Sequence, residues 1–289
     1  MNMSRVLVTG ASGQLGSAVV QAFADREVIA HTHATLDIVD ADAVRREIGT
    51  VCPDVIINCA AFNDVDGAES RPSDAFAVNA CAVRSLARAA ESCGATLVHY
   101  GSDFVFDGTA VEPYDESAAP SPRGVYASSK LVGEWLALDA PRAYALRVES
   151  LFGLPAEWTG RRGTLDAIVA RLEAGREIAV FTDRTVSPSY IVDVAEATRH
   201  LVLSGAPPGL YHCVNSGHDV WHQVALEAAR ILGVQPRLEP ITMDELPLKA
   251  PRPRFCALSN RKLAAAGFTM PSWQDALRRW LAARGRPAA

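Results

Sequence analysis

Short β-branched runs alternate with Ala-rich stretches of helical period through the first half of the chain. Arg5–Thr9, Glu27–His31, Val55–Cys59, Thr96–Gly101 and Ala143–Val148 read as strands, in the pattern of βαβ units that build a parallel sheet. Between the third and fourth, Phe76, Val83, Leu86, Ala87 and Ala90 form one helical stripe. Ser73, just after Pro72, is its expected N-cap and Gly94 its expected C-cap. After Gly153 the alternation becomes irregular. It predicts a loop-like stretch over Leu154–Gly163, helices near Leu165–Glu173 and Ile191–Leu203, and a strand near Leu210–Val214. Pro247, Pro251 and Pro253 then interrupt the chain before two short C-terminal helices. The expected fold class is α/β, a doubly wound parallel Rossmann sheet over residues 1–149. Residues 150–289 form a smaller C-terminal domain, with parts at about 190–214 returning to the core. A ligand would lie between them, at the carboxyl ends of the strands.

Composition narrows the class without changing this picture. A chain of 289 residues, 49% hydrophobic and 21% charged, is long and apolar enough to bury a large core, which excludes a disordered or disulfide-stapled protein. The net charge is −5, only three of the basic residues are lysines, and the arginines are dispersed, so no nucleic-acid partner is expected. No apolar run approaches the roughly 20 residues that span a bilayer, and the first strand begins too near Met1 for a signal segment. The expected compartment is the cytoplasm. Six cysteines without regular spacing read as reduced, mostly buried small hydrophobes. His212, Cys213, His218 and His222 are the one crowd of metal-capable side chains, with His218 and His222 four apart as on one helical turn. A surface helix start explains them equally well, and no metal is expected.

The first strand runs directly into Gly10-Ala11-Ser12-Gly13-Gln14-Leu15-Gly16 and an amphipathic helix. Glycines there permit a tight turn and bring backbone N–H groups close to a pyrophosphate at the helix N-terminus. A GxxGxxG arises by chance in about one such chain in ten. Its position at the first strand-to-helix turn is what makes it a dinucleotide signal. The end of the second strand reads His31-Thr32-His33, with no carboxylate for a ribose 2′-OH, which favours NADP(H) and leaves NAD(H) open. Asp37 and Ile38 are candidates for the adenine end of the pocket, with a turn role for Asp37 the other reading.

Tyr126-Ala127-Ser128-Ser129-Lys130 places a phenol and an ammonium on one helical face. The ammonium favours phenolate and so turns a sluggish phenol into a usable acid–base. Ser102, just after the fourth strand, can donate to a carbonyl oxygen as charge develops on it.

In this order the residues resemble the extended short-chain dehydrogenase/reductases and, among them, the dTDP-4-dehydrorhamnose reductase family. The resemblance also takes in Asn58-Cys59-Ala60-Ala61, Val65-Asp66-Gly67-Ala68-Glu69, His99 through Phe106, Ser187-Pro188-Ser189-Tyr190, Gly209-Leu210-Tyr211-His212, Trp221-His222, Arg252-Pro253 and Trp273, hence essentially the whole chain. It implies a nicotinamide cofactor held by the glycine turn and by Cys59, Ala60, Ala61, Tyr126 and Lys130. It implies hydride delivery to the C4 ketone of a nucleotide-linked 6-deoxy sugar, with Tyr126 supplying the proton, Lys130 tuning it and Ser102 orienting the carbonyl. Asp103, Phe104, Ser150 and Ser187 fall on the implied substrate side. Two positions depart from the family pattern. Arg147-Val148-Glu149-Ser150 stands where the family has Arg-Thr-Ser-Trp, and Phe255 and Cys256 stand near the place of an Asn-Ser pair. An epimerase or dehydratase that recycles its nicotinamide remains an alternative, though Ser102-Asp103-Phe104 supplies one carboxylate where dehydratases carry two. A cofactor-binding regulatory subunit, like the methionine adenosyltransferase β subunit, is another. A homodimer is common for such folds, but no interface signature stands in the sequence.

Overall fold

The computed structural model describes residues 4–154 and 162–284. Its first half runs β1 (Arg5–Thr9), α1 (Gln14–Ala22), β2 (Glu27–His31), α2 (Ala41–Val51), β3 (Val55–Asn58), α3 (Val65–Ser70), α4 (Pro72–Phe76), α5 (Ala82–Cys93), β4 (Thr96–Ser102), α6 (Val125–Leu138) and β5 (Ala143–Val148). The second half adds β6 (Leu151–Phe152), α7 (Thr164–Glu173), β7 (Ile178–Phe181), β8 (Thr185–Val186), β9 (Ser189–Tyr190), α8 (Ile191–Ser204), β10 (Gly209–His212), β11 (Asp219–Val220), α9 (Trp221–Leu232), β12 (Leu238–Ile241), α10 (Arg261–Ala265) and α11 (Trp273–Arg284).

Six strands pair in the order β10, β5, β4, β3, β1, β2, all parallel. Alternate side chains feed two apolar layers. Val6, Val8, Val55, Ile57 and Val98 join one cluster with α1, α7, α8, α9 and α11, while Leu7, Ile56 and Leu97 join another with α2 and α5. Because β1 lies between β2 and β3, the winding reverses there. The carboxyl ends of β1 and β3 therefore flank a crevice, the usual ligand position in such sheets. One core spans the boundary expected near residue 150: Val6 and Val55 belong to the same cluster as Phe152, Leu165, Trp221 and Trp280. No helix among the described residues is long and apolar enough to cross a membrane.

Several local expectations are corrected. The helix after Arg71 starts one residue before Ser73: Arg71 is the N-cap and Pro72, whose missing N–H costs nothing in the first turn, is the first helical residue. The apolar stripe to Cys93 is continuous, but Ala77–Cys81 winds as a π-turn. There Asn79 is buried, accepts from Phe62 N, and donates to Phe62 O and Ser129 Oγ. Gly133 of α6 crosses so close that a Cβ on it would overlap the Asn79 carbonyl. Gly94 ends α5 in the left-handed conformation, as its type predicts. The last helix has 12 residues and is not short. Only Cys213 and Cys256 are buried, and Cys52 and Cys81 are exposed, because each of the latter sits on the outer side of a helix or its cap. His218 precedes the α9 helix and so does not share a helical turn with His222. Residues 155–161 of the loop-like stretch lie outside the described residues.

Candidate active site

The glycine turn is built for close approach. Gly10 has φ +66°, and a Cβ there would come 2.6 Å from Ala60 N and 2.7 Å from Cys59 C. Gly13 N–H closes onto Gly10 O at 2.9 Å, Ala11 N donates to His31 O at 2.9 Å, and a Cβ on Gly16 would strike the Gly10 carbonyl. The turn is thus pinned between the ends of β2 and β3 and delivers the chain into α1, whose first-turn amides have no intrahelical acceptor. Gly10, Ser12 and Gly13 lie at the turn, half-buried or exposed, whereas the Leu15 side chain belongs to the core. Gln14 Nε2 reaches Asp166 Oδ2 at 3.2 Å, tying the turn to α7.

Across the crevice, Thr9, Asn58 and His99 stand side by side on β1, β3 and β4. Thr9 Oγ1 donates to Asn58 Oδ1 at 2.7 Å, and Asn58 Nδ2 meets His99 Nδ1 at 3.1 Å. Asn58 Oδ1 also accepts from Ala60 N at 3.2 Å, which fixes the Cys59-Ala60-Ala61 backbone against the glycine turn. Burial holds His99 well below the usual imidazole range, so this ladder is neutral. Asp37 is exposed and accepts from Val39 N, a turn role, and Ile38 is part of the second apolar layer. At the end of β2, His31 pairs with Glu47 at 3.0 Å, and His33 is exposed.

Ser102 ends β4, opposite Val148, and Tyr126 and Lys130 lie in the first turns of α6, which packs on β4. All three are buried. Glu69 of α3 accepts from Val125 N at 2.7 Å and so sets the start of α6, while Asp66 grips Arg252 at 2.7 and 3.0 Å. Lys130 Nζ donates to Tyr100 O at 2.6 Å. Burial lowers its amine to about 8, with Glu134 opposing the shift. Glu134 in turn holds Arg147 at 2.6 and 2.8 Å, beneath Gly101, in a buried ion pair. Phe104 sets its ring edge-on to Tyr126, 5.4 Å between centroids.

Behind Ser102 lie Glu149 and Cys256, from the two segments expected to depart from the family pattern. Glu149, half-buried Arg184 and Cys256 converge on Asp103, and carboxylate or thiol atoms of the buried Asp103, Glu149 and Cys256 lie within 4.8 Å of one another. Burial raises both carboxyls, each opposed by Arg184. The family resemblance implies a substrate-side place for Ser187. It is instead fully buried beneath the site, its N–H donating to Glu149 Oε2 at 2.8 Å and its Oγ accepting from Leu258 N at 3.3 Å. Ser150 is half-buried at φ 44°. An open cavity of about 520 Å³ lies between Asp107–Thr109, Arg123 and Met243–Arg254, and a larger one of about 840 Å³ between Glu112–Ser117 and Leu258–Lys262; neither is lined by Ser102, Tyr126 or Lys130. His212 is buried, with Nδ1 at 3.1 Å from Tyr114 O, a structural position.

The profile of the RmlD substrate binding domain matches residues 3–285. The chain belongs to this family. A dTDP-4-dehydrorhamnose reductase of Mycobacterium tuberculosis is 39% identical over 290 residues, covering 96% of this chain and 93% of that protein. The spore coat polysaccharide biosynthesis protein SpsK of Bacillus subtilis is 34% identical over 98% of both. Among solved structures, dTDP-4-dehydrorhamnose reductase from Bacillus anthracis in complex with NADP superposes with a TM-score of 0.91 at 29% identity, over 97% of this chain and 99% of that one. In this chain Ser102 ends β4, and Tyr126 and Lys130 open the helix that packs on that strand.

Proposed function

We propose that the protein is an NAD(P)H-dependent oxidoreductase that reduces the C4 ketone of a nucleotide-activated 6-deoxy sugar, with Ser102, Tyr126 and Lys130 as its catalytic residues. The observation that carries this reading is the juxtaposition of a buried Tyr126–Lys130 face and Ser102 with a turn in which Gly10 and Gly16 have no room for a side chain. The M. tuberculosis and B. anthracis relatives named for this activity support it, and the latter holds NADP.

The residues fit a dinucleotide. The Gly10–Gly16 turn and the first turn of α1 would hold its pyrophosphate, the Cys59-Ala60-Ala61 backbone would flank it, and Lys130 would hold the nicotinamide ribose. When bound, the cofactor supplies the hydride. The chain supplies placement and the proton. Tyr126 donates its phenolic proton to the oxygen that becomes the hydroxyl, and the Lys130 ammonium stabilises the phenolate left behind. Ser102 donates to the same oxygen and orients the carbonyl. Arg123, on the wall of the 520 Å³ cavity, suits the diphosphate of a nucleotide sugar. The end of β2 presents His33 and Thr32 rather than a free carboxylate, and the preference we assign is NADP(H) over NAD(H). Residues 1–149 would carry the cofactor and most of 150–289 the sugar, in the cytoplasm where reduced nicotinamide is available.

A second reading is favoured by one observation: Glu149 brings a second carboxylate to Asp103, the pair that an internally recycling dehydratase needs. Absorbance at 340 nm with NADPH or NADH and a panel of nucleotide-linked 4-keto-6-deoxy sugars separates them. Stoichiometric cofactor oxidation is expected. Turnover without oxidation would shift the assignment to the second reading, and tight cofactor binding with no turnover of any keto sugar would favour a regulatory subunit. Tyr126→Phe should keep cofactor affinity and lower turnover by about 10²-fold or more.

A further inference from the structure

Ser102 has one hydroxyl hydrogen, and it is already committed. Ser102 Oγ donates to Asp103 Oδ1 at 3.1 Å and accepts from Phe104 N at 3.2 Å. A hydroxyl that donates to Asp103 cannot also donate to a substrate carbonyl. What Asp103 faces therefore decides what Ser102 can do.

Among the described residues Asp103 faces Glu149, just after β5, Arg184 of the β7–β8 turn, and Cys256, while Ser187, between β8 and β9, binds Glu149 in turn. The Cys256 thiol is pushed well up by burial and stays neutral. Arg184 Nη2 leans on its sulfur at 3.8 Å, and its guanidinium lies 5.4 Å from the Phe104 ring centre. Ser102 and Ser187 carry no charge. The cluster thus contains two carboxyls and one guanidinium. With both carboxyls ionised it would bury a net negative charge, and Asp103 Oδ2 and Glu149 Oε1 accept no hydrogen bond that would offset this. One retained proton makes the cluster neutral.

We propose that Asp103 and Glu149 hold a single proton between them opposite Arg184, and that its position decides whether the Ser102 hydroxyl points at Asp103 or is free for the substrate carbonyl. With the proton on Glu149, Asp103 is ionised and holds the Ser102 hydrogen. With the proton on Asp103, that carboxyl donates to Ser102 Oγ, and the serine hydrogen is released to the carbonyl. Docking of substrate needs only to move the proton from Glu149 to Asp103, and the pair ends the cycle as it began. The proton that enters the product is still that of Tyr126. Asp103 and Glu149 are positioning residues, and the inference rests on the reading of Ser102 as the carbonyl's partner.

The two amide variants separate this from a structural role, because they act in opposite directions. Glu149→Gln leaves Asp103 alone with Arg184, ionised, and Ser102 permanently held. Asp103→Asn can donate from Nδ2 to Ser102 Oγ and leaves the serine free at every pH. In the purified full-length protein, infrared difference spectra at neutral pH should show the carbonyl stretch of a protonated carboxylic acid in the parent that both variants lose. In ketone reduction, Glu149→Gln should lower kcat about tenfold or more with little change in KM, within the range seen when one oxyanion donor is lost. Asp103→Asn should keep a kcat well above that of Glu149→Gln and lose only the pair's share of the alkaline decline, leaving the part set by Lys130 near 8. The proposal is overturned if the parent lacks the infrared band, or if both variants keep the parental pH profile. Should either variant fail to fold, titration of the band in the parent still decides, since it must persist well above the usual carboxylate range. If the parent turns over no ketone, or Tyr126→Phe matches it, the reading of the site fails, while the band reports on the proton independently.

Discussion

Replacing Gly10 by alanine tests how the glycine turn works. Gly10 has φ +66°, and the added methyl would lie 2.6 Å from Ala60 N, 2.7 Å from Cys59 C and 2.8 Å from Ala60 Cα. All three are backbone atoms, and Asn58 holds that backbone through Ala60 N, so no flexible side chain can swing aside. The left-handed backbone costs an alanine about 1 to 2 kcal/mol, and overpacking against fixed neighbours about 1 to 3 more, hence roughly 2 to 5 kcal/mol in all. If the loop yields instead, stability is partly spared but the two walls of the cofactor crevice move apart. Gly94→Ala is the control. Gly94 has nearly the same φ, +69°, with nothing within 4 Å of its Cβ position, so only the backbone cost of about 1 kcal/mol should appear. Urea unfolding and NADPH titration by fluorescence read both outcomes. Gly10→Ala should lose several times the stability that Gly94→Ala loses, or bind NADPH at least tenfold more weakly, whereas Gly94→Ala should bind normally. Equal, small losses in the two variants with intact NADPH binding would refute the argument that close approach of β1 and β3 shapes the crevice.

Lys130 should make cofactor binding pH-dependent. Its amine is lowered to about 8, so NADPH affinity should fall as pH rises through that value, and Lys130→Met should bind weakly without the transition. The linkage to stability has the opposite sign: between about 8 and its ordinary value the unfolded chain holds a proton that the folded chain lacks, so this group's contribution rises with pH across that window. Glu134→Ala leaves Arg147 buried without a counter-charge and should cost about 3 to 5 kcal/mol in urea unfolding. Gly49→Ala, inside α2 with nothing within 4 Å of the new methyl, should stabilise the protein by about 0.5 to 1 kcal/mol. A destabilisation there would contradict the open environment.

The elements that position the site were legible because their signals are local. A strand that runs into Gly10, Gly13 and Gly16 specifies its turn within seven residues. The four-residue spacing of Tyr126 and Lys130 specifies a shared face as soon as the segment is helical, and the boundaries of β1, β2 and β5 follow from their apolar runs. Burial was legible only on average. Ser187 sits in a Ser-Pro-Ser-Tyr segment that looks like a polar loop, yet it is enclosed because β9 follows two residues later and Glu149 binds its amide. The cysteines read as core residues by type, but Cys52 and Cys81 face outward by their place on the helices. The π-turn at Ala77–Cys81 depends on where Gly133 crosses it from another helix.

The sequence by itself determined the parallel sheet, the glycine turn and the shared face of Tyr126 and Lys130, because period, glycine placement and i,i+4 spacing act over one element and one connection. Only the tertiary structure decided the chemistry around Ser102. Asp103, Glu149, Arg184 and Cys256 come from four separate segments, and their spacing along the chain carries no signal of contact. Whether a carboxyl is ionised depends on how much water surrounds it and on which charges stand within a few ångströms, and folding alone sets both.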